Sequence, residues 1–177
     1  STLFGLIAVT GCRIGEMVAL DRDHFRDGDG LLTIKDSKFG KSRIVPLHKS
    51  TVRELRRYEC LRDRLYSKPR TNSFFVSDRG TRVTVWSARR AFNRVSRQIG
   101  LRRSSDKRGP RIHDLRHTFA VKTILRWYRS GANVDQQMPL LSTYLGHTKP
   151  SHTYWYLTAV PELLALAASR LEHGTGG

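Results

Sequence analysis

Several residues stand at spacings that could act on a phosphodiester. Arg13 follows a Gly11-Cys12 pair close to where a helix should begin. The run His113-Asp114-Leu115-Arg116-His117 puts His113, Arg116 and His117 on one side of a helix, at i, i+3 and i+4. Gly146-His147 ends a further helix, and Tyr156 follows nine residues after His147. Lys38 lies in a loop between two β-prone runs. Cleaving a phosphodiester without a metal needs an in-line nucleophile, fixed donors on the non-bridging oxygens and a proton for the leaving oxygen. Arginine suits the second task, because its planar fork grips two oxygens at once. At this level Lys41 competes with Lys38, and Tyr154 with Tyr156. The His113/His117 spacing also fits a zinc helix, but it lacks the glutamate of His-Glu-x-x-His and a carboxylate cluster for a third ligand, so no metal is expected.

The elements that must carry these residues are mostly helical. Helices are expected over Thr2–Thr10, Arg13–Leu20, from a Ser50 or Thr51 cap to about Tyr66, over Thr84–Ile99, from His113 to about Trp127, and over Met138–Leu145. Val52, Leu55, Tyr58, Cys60 and Leu61 are the expected apolar members of the third of these, and Trp155 is expected to be core or a packing lid. Leu31–Lys35 and Arg43–Leu47 read as a hairpin with Lys38 and Lys41 near its tip. Gly40 offers the positive φ such a loop often needs, and a short third strand is expected through His24 and Phe25. Thr148–His152 reads as loop, Tyr154–Leu157 follows, and Pro161 opens a last helix to about Glu172. The Asp21–Gly30 stretch is turn-rich, but its spacing does not fit a calcium loop. The fold expected is mainly α with a small three-stranded antiparallel sheet.

The 177 residues include 32 Lys and Arg against 15 Asp and Glu, for a formal net charge of +17. That imbalance calls for a polyanionic partner, with nucleic acid ahead of an anionic membrane surface. One basic cluster holds Arg53, Arg56, Arg57, Arg62, Arg64, Lys68 and Arg70; a second holds Arg102, Arg103, Lys107, Arg108 and Arg111. No apolar run reaches the roughly 18 residues of a membrane span. Cys12 and Cys60 form neither a disulfide framework nor a zinc motif, which favours a reducing, cytoplasmic setting. The chain lacks an initiator Met and opens in mid-helix, so a fragment with something preceding it is expected.

Five blocks, in order and over nearly the whole length, resemble the catalytic domain of the tyrosine recombinases, or phage-type integrases. They are Thr10–Glu16, the hairpin Ser37–Leu47, His113–His117, Leu145-Gly146-His147 and Thr153–Tyr156. The resemblance implies a single catalytic domain over 1–177, without the N-terminal DNA-clamping domain such proteins usually carry. It implies that Arg13 and Arg116 hold the scissile phosphate and that Tyr156 attacks it, giving a 3′-phosphotyrosyl link and a free 5′-hydroxyl. Lys38, favoured over Lys41 by the Val45-Pro46-Leu47 alignment, would protonate the leaving oxygen. His113 would exchange the nucleophile's proton, His147 would donate to the phosphate, and Glu16 would orient its neighbours. No cofactor is implied, because the phosphotyrosine conserves the bond energy.

The partners implied are double-stranded DNA, contacted by Lys41, Arg43, Arg102, Arg103, Lys107 and Arg111, and other recombinase subunits through a C-terminal helix at 161–172. The setting would be the cytoplasm, on the nucleoid if the source is bacterial, and the outcome integration, excision, transposition or resolution. A topoisomerase-like relaxing enzyme and an inert DNA-binding module are the rival readings; the intact Arg, Lys, His and Tyr set argues against the second. A free phenol has a pKa of about 10, so ionising it at pH 7 costs about 4 kcal/mol. Two arginines on the phosphate can offset a cost of that size. Replacing Arg102 or Arg103 by alanine should weaken DNA binding and flatten its salt dependence, by about one unit of slope for each phosphate no longer neutralised. Affinities measured over a salt series check this.

Overall fold

Gly11 turns the chain between the first two helices. Helix α1 (Thr2–Thr10) buries Leu6, Ile7 and Thr10. It stops at Gly11, whose φ of 66° lies in the left-handed region and whose N–H bonds back to the Ile7 carbonyl at 2.8 Å. Cys12 is buried, and Arg13 is the extended N-cap of the short helix α2 (Ile14–Val18). The turn therefore sets Arg13 at a helix start, in a frame fixed by the burial on either side of it.

The computed structural model describes residues 2–35, 42–68, 70–103, 105, 106, 109–147, 149 and 151–159. Lys38, Lys41, Lys107, Arg108 and the expected helix at 161–172 lie outside the described residues. The chain divides into two compact units, Ser1–Arg116 and His117–Gly177.

The first unit holds a three-stranded antiparallel sheet in the order β1-β2-β3, with β1 at Phe25–Arg26, β2 at Leu31–Lys35 and β3 at Ser42–Pro46. The expected third strand is thus present, and His24 closes a single 3₁₀ turn just before it. Leu32 pairs with Val45 and Ile34 with Arg43. Opposed residues share a face, so buried Leu32, Ile34 and Val45 place Arg43 on the inward side, whereas Ile44 is exposed.

Helix α3 (Lys49–Leu65) starts one residue before Ser50, because the His48 side chain accepts the Ser50 N–H. Its inner face corrects the expected one: Cys60 and Leu61 are exposed, and Arg62 is buried. Arg62 lies seven residues after buried Leu55, two helical turns on, and its charge is matched by the carboxylates of Asp63 and Glu59. Its guanidinium donates to the Phe74 carbonyl at 2.9 Å and stands 5.3 Å from the centre of the Phe74 ring. Arg62 therefore drops out of the basic surface cluster, and Arg56 pairs with Asp27.

The loop after α3 enters the core at Phe74 and Phe75, whose rings meet Phe25 and Tyr58. Helix α4 (Val85–Gln98) is capped by Thr84, and Phe92 on it packs edge-on against Phe4.

Helix α5 (Ile112–Arg129) crosses the division between the units. In the second unit Ala120 and Ile124 of α5 form a core with helices α6 (Val134–Leu145) and α7 (Ser151–Ala159). Helix α6 begins four residues earlier than expected, because Asn133 accepts the Gln136 N–H as its cap. It carries Pro139 inside and ends at Gly146, φ 68°. Helix α7 includes Ser151 and His152, expected as loop. One continuous helix puts Thr153 and Tyr156 on the same buried face at i, i+3. Among the described residues no helix is long and apolar enough to cross a membrane.

Phe74 is fully buried and joins β1, α3 and the loop that carries it. Its replacement by alanine should destabilise the protein by about 3–5 kcal/mol in a urea titration.

Candidate functional site

Three basic side chains gather around the Gly11–Glu16 turn in the first unit. Glu16 closes the first turn of α2 by accepting the Arg13 N–H at 2.7 Å and the Arg13 Nη1 at 3.0 Å. From β3, Arg43 reaches the same carboxylate with both terminal nitrogens, at 3.0 Å to Oε1 and 2.8 Å to Oε2. Its Nη2 also faces the Cys12 sulfur at 3.8 Å. From α5, the buried Arg116 donates to the Gly11 carbonyl at 2.7 Å. Residues 105 positions apart are joined by that one bond. Arg13 is the open member, with 40% of its side chain exposed against 11% for Glu16 and 16% for Arg43.

Burial pushes the Glu16 carboxyl up. The hydrogen bonds and charge of Arg43, with those of Arg13, outweigh that and hold it below the ordinary carboxylate range. Cys12 goes the other way: burial raises its thiol, only partly opposed by the Thr10 hydrogen bond and by Arg43. His113 is exposed on the first turn of α5, three residues before Arg116. Asp114 closes that turn by accepting the Arg111 N–H at 2.8 Å and pairing with its guanidinium at 3.4 Å.

In the second unit Tyr156 is 3% exposed and forms part of the core. Three rings surround it: His117 at 5.5 Å, Trp155 at 5.6 Å and, nearly parallel, His147 at 6.4 Å. His147 is delivered by the left-handed Gly146, and its Nδ1 sits 2.7 Å from the Thr153 hydroxyl. Tyr154 is exposed, on a different side of α7 from buried Tyr156. Trp155 is 55% exposed, so it is not core. It covers Tyr156 and His117 from outside, at 5.6 and 5.7 Å between ring centres.

These two groups stand in a chain whose relatives can be identified. The model of the phage integrase family matches residues 1–162. The chain belongs to that family.

A putative integrase/recombinase of Sinorhizobium fredii, y4rB, is 44% identical over 171 residues, which is 96% of this chain and 54% of the relative. The crystal structure of XerA recombinase superposes with a TM-score of 0.76 at 23% identity, covering 96% of this chain and 56% of that one. A post-cleavage complex of the XerH site-specific recombinase with palindromic difH substrate gives 0.71 at 25%, covering 97% and 45%. This integrase-family chain spans about half the length of those relatives. The solved neighbours share its fold, which is mostly helical with the three-stranded sheet.

Of the residues expected at the site, Arg13, Glu16 and Arg116 meet at one turn of the first unit, and His147 and Tyr156 meet in the second. Lys38 and Lys41 lie outside the described residues. Among the expected DNA contacts, Arg103 is exposed. Arg102 folds onto α4, donating to Asn93 at 3.0 Å and lying so close to Gly109 that a Cβ there would stand 3.0 Å from it. Arg43 is committed to Glu16.

Sequence reasoning placed Thr153 in the last block but gave it no partner; the structure sets its hydroxyl 2.7 Å from the His147 ring. The signal for Thr153 was the i, i+3 spacing to Tyr156. Asp21, Asp23 and His24 also bring potential ligand atoms within 4.8 Å of one another. However, Asp21 is paired with Arg82, and its N–H is donated to the His24 ring, so the group is a turn staple.

A carboxyl held below its ordinary value of 4.5 stabilises the folded state above that value, and the contribution is lost as pH falls through the lower folded one. Glu16→Gln should therefore be less stable than wild type at pH 7 and should converge on it as the pH drops below 4.5. Thermal melts across pH check this. Asp63, also held low by Arg62, supplies acid sensitivity that both proteins keep.

Proposed function

We propose that this chain is the catalytic portion of a site-specific DNA recombinase that cleaves and rejoins duplex DNA through a covalent link to Tyr156. The observation that carries the reading is the gathering of Arg13 and Arg116 around one backbone turn, each anchored by a contact other than substrate. Pre-fixed guanidinium groups stabilise developing phosphate charge without reorganising during the reaction. The Tyr156–His147–Thr153 cluster supports the same reading.

In the proposed reaction the Tyr156 oxygen attacks phosphorus while Arg13 and Arg116 hold the two non-bridging oxygens. The bond to the 5′-oxygen breaks, leaving a 3′-phosphotyrosine, and Lys38 supplies the proton of the new 5′-hydroxyl. His113 takes part in exchanging the tyrosine's proton. In the tautomer this role requires, the Thr153 hydroxyl donates to Nδ1 and the His147 ring proton is on Nε2, the nitrogen that would donate to the phosphate. A different 5′-hydroxyl then reverses the attack and joins the strands.

The +17 charge fits duplex DNA as the partner, with Lys41, Arg103, Lys107 and Arg111 among its contacts. In the XerH complex the recombinase is bound to its difH substrate, and the same class of partner is proposed here. The catalytic domain would work in the cytoplasm on the nucleoid, with an N-terminal DNA-clamping region completing the protein. The segment 161–172 would dock on a neighbouring subunit.

The test is a nicked suicide substrate carrying the protein's own recombination site. Wild type should trap a covalent protein–DNA adduct, and Tyr156→Phe should trap none. Arg13→Ala and Arg116→Lys should each slow trapping by roughly 10²–10³-fold while leaving most of the DNA affinity. Equal trapping by the Phe variant would remove Tyr156 as nucleophile. Relaxation of supercoils without joining of two sites would point to a topoisomerase-like enzyme instead.

A further inference from the structure

Arg43 is in an unusual place. It sits on the inward face of β3, in register with the buried Ile34, where an apolar residue would normally pack. The apolar side chain next to it, Ile44, is 55% exposed. Burying a guanidinium costs solvation that a single ion pair barely offsets, so such a pair is poor evidence for stability as its purpose. What it does here is geometric. Each Glu16 oxygen receives one donor from Arg43 and one from Arg13. The carboxylate is held on both sides, and Arg13 is the member of the trio most open to solvent.

Charge points the same way. Two arginines on one carboxylate leave the trio at +1. Without Arg43, Arg13 and Glu16 would form a neutral pair, and the attraction of Arg13 for a phosphate oxygen would fall accordingly.

We propose that Arg43 is a positioning residue for cleavage: it fixes Glu16 and cancels its charge, so that Arg13 is presented to the scissile phosphate both oriented and cationic. The inference rests on the reading of Arg13 as a phosphate-holding residue. It replaces a direct role for Arg43 in gripping DNA.

The experiment uses the full-length protein and a suicide substrate in single turnover at saturating DNA. Arg43→Ala and Arg43→Lys are compared with Arg13→Ala, on a normal scissile phosphate and on a methylphosphonate that lacks one oxygen's charge. Folding is checked by thermal melts. Arg43→Ala should cleave about 10–100-fold more slowly with little change in DNA affinity. Arg43→Lys should recover part of the rate, since it keeps the charge and loses the fork. The Arg43→Ala defect should shrink on the methylphosphonate, and the Arg13→Ala/Arg43→Ala double variant should be no slower than Arg13→Ala alone.

Equal defects on both substrates would mean a structural role only and would overturn the proposal. So would a wild-type rate at saturation with weakened binding and a flattened salt slope, the mark of a DNA contact. Should Arg43→Ala fail to fold, the Arg43→Lys rate on the two substrates decides by the same criteria. A wild-type rate for Arg13→Ala would instead bring down the underlying reading of Arg13, a distinct result.

Discussion

The first unit is organised around one partly buried carboxylate. Glu16 is the meeting point of a helix start, a sheet edge and two guanidinium groups. A carboxylate in that position is tolerable only because four hydrogen bonds reach its two oxygens. The arginines in turn are held there, because leaving would strip a largely desolvated carboxylate of its partners. Arg116 reaches the neighbouring Gly11 carbonyl from a helix 105 residues further along the chain. The left-handed geometry of Gly11 belongs to the turn that carries this carbonyl. Local backbone conformation, burial and charge all converge on a turn of six residues.

The second unit places its buried tyrosine differently. Tyr156 belongs to an apolar core built from α5, α6 and α7, with two imidazoles and an indole against its ring. Packing of this kind removes rotamer freedom from the tyrosine, and under the proposed function that is the entropic part of aiming a nucleophile. The same helix that carries Tyr156 carries Thr153, so one element positions both the phenol and the hydroxyl that faces His147. The covering Trp155 ring is the outermost layer of that arrangement.

Much of this was legible in the residues themselves. The helices, the hairpin strands and the short third strand follow from apolar periodicity and turn chemistry, which are local properties. The candidate positions Arg13, His113, Arg116, His147 and Tyr156 were singled out by motif order, and for His113, Arg116 and His117 the i, i+3 and i+4 spacing implies a shared helix face whatever the rest of the fold does. Helix starts were less legible. His48 and Asn133 cap α3 and α6 through side-chain hydrogen bonds that composition alone does not rank above those of neighbouring serines and threonines.

Which charges are buried could be decided only by tertiary structure. Arg62 and Arg43 read as two more surface cations among 32 basic residues, yet one lies under the Phe74 ring and the other on the inward face of a strand. Their environments depend on partners twelve and 27 positions away in the chain. Sequence determined that this protein is mostly helical, strongly basic and of the phage integrase family, since composition, short-range spacing and motif order are properties of the chain. Tertiary structure decided which arginines stay open to solvent and which are drawn in against carboxylates and backbone carbonyls, since desolvation and ion pairing exist only once distant segments pack together.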